Sequence, residues 1–332
     1  MTPSPRSFGW TVPVAAAIVL AALPPVLTPY THDLVVKIAI YAVFALSLEL
    51  LVGMTGLVSL GHAAFLGIGA YVTVLGAESN ASMLRLLPMA VAAAAAYALF
   101  VGTLSLRTRG VYFIMVTLAF AQMAYFVFHD TKLAGGSDGL FLYSKPVLEW
   151  SGRTLVDLGN KTHLYYAVLA ALAGTYGLLA LLRRSRFGHA LAGIRANEQR
   201  MRAAGFRTFA YKLAAFVLAA ALAGLAGFLL AVKDGAVNPE LASWHESGGV
   251  LLMVILGGIG HLRGAVLGAL VLTLLKEFFQ NEAWVGPLAS HWQLTFGLTI
   301  IAFVAVLPQG LIGAGRALVR RRPLRPAAAP AP

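Results

Sequence analysis

Glu49 stands in the run YAVFALSLELLV (Tyr41 to Val52), where every other side chain is apolar or a hydroxyl. A carboxyl group in a bilayer-spanning run is by default a functional candidate, because burying it in hydrocarbon is costly. Protonation, or pairing near the end of its span, accounts for the same residue equally well. His62 and His261 each follow a glycine at the start of an apolar block, and Thr117 and Gln122 place polar groups five apart in another. These two suit either a polar pathway or hydrogen bonding between helices.

Catalytic and metal chemistry are poorly provided for. The eight histidines are scattered, and His245-Glu246 lacks the second histidine of an H-E-x-x-H zinc site. No G-x-x-x-x-G-K-[ST] run supplies a Walker A loop, and the absence of cysteine excludes disulfides, thiolate catalysis and cysteine-held metals. The expectation is a non-enzyme with no metal or cofactor of its own, whose energy for transport comes from an ion gradient or a partner. One intramembrane carboxyl is thin provision for a gradient-driven carrier.

The elements that must position these residues are membrane spans. Apolar residues make up 59% of the 332 and charged residues 11%, and the apolar ones fall in blocks about 20 long, the length that crosses a bilayer core. The blocks lie at roughly 11–29, 34–52, 62–77, 86–106, 111–128, 163–182, 212–232, 248–260, 264–279 and 292–309. This predicts an all-α polytopic membrane protein of about ten spans, with eight to eleven open because three blocks are short or glycine-broken. The first block carries Pro13, Pro24 and Pro25 and no A-x-A site, so it reads as an uncleaved span rather than a signal peptide.

Charge fixes the orientation. Arg183 to Lys212 holds eight Lys/Arg and one acid, and placing it inside puts 17 of the 25 Lys/Arg in the cytoplasm, including Arg107, Arg109, Arg263 and the tail arginines. Both termini are then cytoplasmic. The net charge of +12 is this topology signal, and no soluble basic domain exists to hold nucleic acid. Residues 129–162, with Gly135, Gly136, Gly139 and Pro146, are too polar to span and form an extracytoplasmic loop. The Pro/Ala-rich basic tail, 316–332, is expected to be disordered and to anchor on anionic lipid, which leaves 1–315 as the transmembrane domain.

Two glycine-rich stretches interrupt the spans. Gly53 to His62, which contains Gly56, Ser59 and Gly61, joins two apolar blocks without the charges of an ordinary loop. Non-helical backbone at membrane depth must be buried in protein or line a wet cavity, so the stretch is either a half-helix break on a pathway or a tight turn between spans. The second is Gly257 to Gly268, where Gly260, Gly264 and Gly268 recur every fourth residue and suit close backbone approach. One break in each half of the chain is the pattern of an internal inverted repeat around a transport path, or a coincidence of small residues.

On a helical wheel, Phe187, Ala190, Leu191, Ile194 and Met201 share one arc with Glu198, which Arg195 and Arg202 flank. Read as one helix, 187–202 offers that face to a partner groove, although the charges also fit simple bracing and the arginines also fit lipid headgroups.

Six strings taken together resemble a known family: LSLELLVGMTGLVSLGHAAFLGIGAY (Leu46 to Tyr71), RGVYFIMVTLAFAQM (Arg109 to Met123), GGSDGL (Gly135 to Leu140), FGHALAGIRANEQRMRAAGF (Phe187 to Phe206), YKLAAFVLAAALAGLAG (Tyr211 to Gly227) and GGIGHLRGAVLGA (Gly257 to Ala269). They resemble the permease subunits of branched-chain amino acid ABC importers of the LivM type. The resemblance implies ATPase coupling through Phe187, Gly188, Ala192, Ile194, Arg195, Asn197, Glu198 and Gly205. It also implies an inner-membrane importer in which this chain joins a second permease, two ATP-binding subunits that alone bind ATP, and an extracytoplasmic solute-binding protein. The pathway expectation gathers Glu49, Gly56, Ser59, Gly61, His62, Thr117 and Gln122. The family commonly has Asn in place of Glu49 and Gln in place of Leu57, and similar permeases serve urea and short amides, which stand as the alternative substrates.

Overall fold

The computed structural model describes residues 8–78, 81–150 and 153–314. The tail expected to be disordered lies outside them. Thirteen helices are seen among the described residues: α1 (Phe8–Ala22), α2 (Pro29–Glu49), α3 (His62–Ala77), α4 (Met83–Ser105), α5 (Val111–Asp130), α6 (Lys161–Arg184), α7 (Arg186–Ala196), α8 (Glu198–Ala203), α9 (Thr208–Asp234), α10 (Trp244–Gly257), α11 (Leu262–Gln280), α12 (Glu282–Val285) and α13 (Trp292–Val306). The fold is all-α and polytopic, as its apolar blocks imply.

Six helical stretches are long and apolar enough to cross a membrane, or seven if the bent pair of α10 and α11 counts as one span. The expected ten spans are not reached by this measure, and helix length is the reason. At about 1.5 Å per residue, the 16 residues of α3 and the 14 of α10 fall short of a ~30 Å hydrocarbon core. The α10 and α11 axes differ by 118° across a break of four residues.

α2 and α9 form the centre. From Ala42 to the end of its run every residue of α2 is buried, so this half of the helix is core with no outward stripe. Pro29 opens α2, and the Thr28 side chain accepts the N–H of Thr31. α3 and α4 pack on α9 through small residues. A Cβ on Gly69 or Gly227 would run into the backbone of Gly224 or Leu66, so these helices touch at backbone distance. α5 and α13 lie at the periphery, with few of their residues buried within the chain.

The segment expected outside the membrane is folded. β1 (Leu140–Phe141) pairs antiparallel with β4 (Ala236–Val237), Leu140 opposite Val237. β2 (Val147–Trp150) and β3 (Arg153–Asp157) form a hairpin with a bulge at Leu148/Glu149. Gly139 has φ 76° and lies so close to Val237 O that no side chain fits there. These sheets cap the end of the bundle opposite α7 and α8.

Candidate functional site

The first break begins where α2 loosens into a π-helical turn over Leu50–Thr55. Thr55 Oγ1 donates back to Leu51 O at 2.6 Å, and Gly56, at φ 74°, stops the turn in the left-handed region. The chain is then non-helical to Ser59, whose buried hydroxyl accepts the Gly61 N–H at 3.2 Å. α3 starts at His62, inside protein rather than at a surface, as backbone freed at membrane depth requires.

His62 is wholly buried. Ser47 Oγ donates to Phe44 O at 2.6 Å and lies 2.8 Å from His62 Nε2, so Nε2 carries the hydrogen and donates to Ser47. His62 Nδ1 is left buried without a partner. Phe44 stacks on the ring at 5.5 Å and Phe65 meets it edge-on at 5.6 Å. Gly61 presses on the carbonyl of Thr117, which brings α5 to the same place. Thr117 Oγ1 donates within its helix to Ile114 O at 3.0 Å. Gln122 lies farther along α5, its Oε1 buried without a hydrogen-bond partner.

The second break spans Gly258 to His261, with φ 109° at Gly258 and 89° at Gly260. Gly264 and Gly268 line the close face of α11 against α10, where a Cβ would strike the backbone of Gly257 and Met253. Gly260 belongs to the turn instead of that face.

The two breaks meet at Glu49, which is 2% exposed. Its carboxylate lies over Gly53 and accepts from the backbone N–H groups of Gly260 and His261. Arg183 and Arg195 bring positive charge near it, while its Oε2 is buried without a hydrogen-bond partner. Arg195 Nη1 donates to Gly53 O, and its stem lies on Gly56, 3.2 Å from where a Cβ would stand. Glu49, Gly56 and Arg195 therefore form one cluster; Ser59, Gly61, His62 and Thr117 form a second, farther along the same break.

The basic insert is not a single helix. Asn197 takes extended backbone angles (φ −161°, ψ 100°), ends α7 and caps α8 by accepting the Arg200 N–H at 2.9 Å. Ser185 opens α7 likewise, accepting from Gly188, which packs too closely on Leu182 O to carry a side chain. The wheel arc expected to face a partner is turned inward. Ala190, Leu191 and Ile194 are buried, and Phe187 stacks on Tyr211 at 5.5 Å. The chain's own spans offer the nearest apolar surface, so the outward face is the small and polar one: Ala192, Asn197, Arg200 and Gly205.

Glu198 is a brace. Its Oε1 lies 2.5 Å from Arg202 Nη2 and 3.0 Å from Lys212 Nζ, and Thr208 Oγ1 donates to it at 3.1 Å. Partial burial would push its carboxyl up, but the hydrogen bonds from Lys212 and Arg202 outweigh that and hold it down at about 2. Lys212 is 6% exposed, so the acid also neutralises a buried cation at the start of α9.

This arrangement has no constellation for bond-making chemistry. Among the described residues no group of three His, Cys, Asp or Glu could hold a metal ion. Its content is mechanical: a surface element gripping two broken helices. The family model for the permease component of the branched-chain amino acid transport system matches residues 30–305, which takes in both breaks and the insert. The chain belongs to this permease family.

Among its permease relatives, the high-affinity branched-chain amino acid transport system permease protein LivM of Escherichia coli is 30% identical over 320 residues, covering 90% of this chain and 74% of that protein. LivH of the same organism is 23% identical over 291 residues, 82% of this chain and 91% of that protein. The E. coli xylose transport system permease protein XylH is 28% identical over 124 residues, 36% of this chain and 30% of that protein. No solved structure matches this permease.

Two features of the permease escape a linear reading. Ser247 Oγ of α10 accepts the Ala63 N–H at 2.9 Å, across 184 residues. In addition, Tyr30 donates to Glu277 at 2.6 Å, Lys37 lies 3.9 Å from Glu277, and Tyr41 bonds Glu246. Lys37, Glu246 and Glu277 all lie near the ends of apolar blocks, where charge is ordinary, so the sequence does not mark them as a group.

Proposed function

We propose that this chain is the membrane-spanning permease of an ATP-driven importer that carries branched-chain amino acids (leucine, isoleucine and valine) across the inner membrane. It works with a second permease of the LivH kind, two ATP-binding subunits and an extracytoplasmic solute-binding protein. The observation that carries this reading is the union of α7 with both glycine breaks at Glu49 and Arg195, the contact a coupling element needs. Residues 1–315 are the transmembrane domain, with both termini cytoplasmic.

In this reading the α7–α8 end is cytoplasmic, consistent with its basic charge, and the end capped by β1 to β4 receives the binding protein. The coupling residues divide their labour. Ala192, Asn197 and Gly205 face outward toward an ATP-binding subunit, while Phe187, Gly188, Ile194, Arg195 and Glu198 hold the element to the spans. Glu49 and Gly56 lie at the inner mouth of the pathway; Ser59, Gly61, His62 and Thr117 lie along it, with Gln122 beyond. The names of the LivM and LivH relatives support the substrate class.

Purification in mild detergent with the candidate partners tests the assembly. Co-purifying ATP-binding subunits, with leucine uptake dependent on ATP in liposomes, are the expected result. Uptake by the purified chain alone under an ion gradient would replace this reading with that of a self-sufficient carrier, and uptake of urea or short amides in place of leucine would replace the substrate.

A further inference from the structure

Three pieces of chain that are far apart in sequence converge within one side chain's reach. Glu49, at the end of α2, accepts the N–H groups of Gly260 and His261, which open α11 and have no partner within that helix. Arg195, one residue before the end of α7, donates to Gly53 O, a carbonyl of the loosened π turn. Its Nη1 also lies 3.9 Å from the point a Cβ on Gly260 would occupy. One guanidinium thus stands beside the first break, the second break and the buried Glu49 carboxylate.

We infer that Arg195 and Glu49 form a latch that fastens the coupling element to both glycine breaks, so that a displacement of α7 moves the ends of α2 and α10 together. Both are positioning residues, and the inference rests on the proposed ATP-driven assembly. Arg195 suits the role because its planar guanidinium can hold Gly53 O with one N–H while keeping its charge near Glu49, whereas a lysine ammonium is a single compact charge. Glycine suits position 56 because a side chain there would crowd the Arg195 stem, and positions 56 and 260 both have positive φ. Glu49 suits its place because it satisfies orphan N–H groups of one break while standing on the other.

The geometry also separates a latch from a stiffener. Ile194, the neighbour of Arg195, is buried and already holds α7 to the bundle by packing, so Arg195 is dispensable for docking the helix. What Arg195 adds is a directional bond to backbone that has left helical form and can therefore move.

The test uses the full complex in proteoliposomes, with uptake of labelled leucine and ATP hydrolysis measured on the same preparation. Subunit stoichiometry is measured alongside. Arg195→Met removes the guanidinium; Glu49→Gln keeps the shape and one acceptor but removes the ionisable group. Both variants should assemble at wild-type stoichiometry and show uptake per ATP hydrolysed reduced about tenfold, within the range of an allosteric coupling. Arg195→Lys should restore part of that ratio. Uptake and hydrolysis falling in step, with the ratio unchanged in both variants, would overturn the latch while leaving the ATP-driven reading intact. A wild-type chain that recruits no ATP-binding subunit would overturn both.

Discussion

Ser247 on α10 caps α3, accepting the backbone N–H of Ala63 at 2.9 Å with both residues buried. The helix that begins at one glycine break is thereby completed by the helix that ends at the other. Ser247→Ala leaves that N–H without a partner, at a cost of about 1–2 kcal/mol. The expected outcome is a lower thermal unfolding midpoint for the detergent-purified chain, recovered in Ser247→Thr. An unchanged midpoint in Ser247→Ala would show that the cap contributes nothing.

Glycines that carry helix contact should separate sharply from those that do not. A methyl on Gly227 meets Leu66 O and Ala70 N, so Gly227→Ala forces α3 and α9 apart. Gly174 and Gly177 on α6 have open space at the Cβ position, and there alanine gains helix propensity of about 1 kcal/mol. Fluorescence-detected size exclusion should show loss of the folded species for Gly227→Ala and none for Gly174→Ala. Equal losses in the two variants would contradict the backbone contact.

Much of this fold is legible because a bilayer imposes it. Spans of about 20 apolar residues and basic loops on one side follow from dielectric and charge alone, and they locate α2, α4, α5, α6 and α9. The glycine breaks are legible for the same reason, since uncharged glycine-rich backbone between apolar blocks must be buried. The face of α7 is not. Periodicity shows that Leu191 and Ile194 share a side, but whether that side meets a partner or the chain's own spans depends on tertiary neighbours. Asn197 could have been suspected, since Asn followed by an acid is a helix start as much as a helix interior. The contacts of Arg195 with Gly53 and of Ser247 with Ala63 join residues 142 and 184 positions apart, and no local pattern encodes either.

Glu198 makes the stability of the α7–α8 segment pH-dependent with a definite sign. Its carboxyl is held at about 2, below the 4.5 of a free glutamate, so its contribution is fully present above about pH 4.5 and is lost as pH falls toward 2. Glu198→Gln should lower the unfolding midpoint at neutral pH by removing the ionised partner of buried Lys212. The gap between wild type and variant should narrow steadily below pH 4.5. A constant gap between pH 6 and pH 3 would mean that Glu198 is not ionised in the fold.

The inward turn of α7 predicts which substitutions break docking and which break folding. Ala192 is exposed on the outward face, and an arginine there adds bulk and charge without disturbing the spans. In the proposed assembly, Ala192→Arg should reduce recovery of ATP-binding subunits on the purified chain by tenfold or more, roughly 1.4 kcal/mol. Its unfolding midpoint should stay within a degree or two of wild type. Ile194 is buried against the spans, and Ile194→Ala should destabilise the chain by about 2–5 kcal/mol, with partner loss following only from unfolding. Measuring recovery and midpoint on each variant separates the two faces. If Ala192→Arg recovered partners normally while Ile194→Ala lost them with an unchanged midpoint, the apolar arc would be the docking face after all, and α7 would have to peel from the bundle to use it.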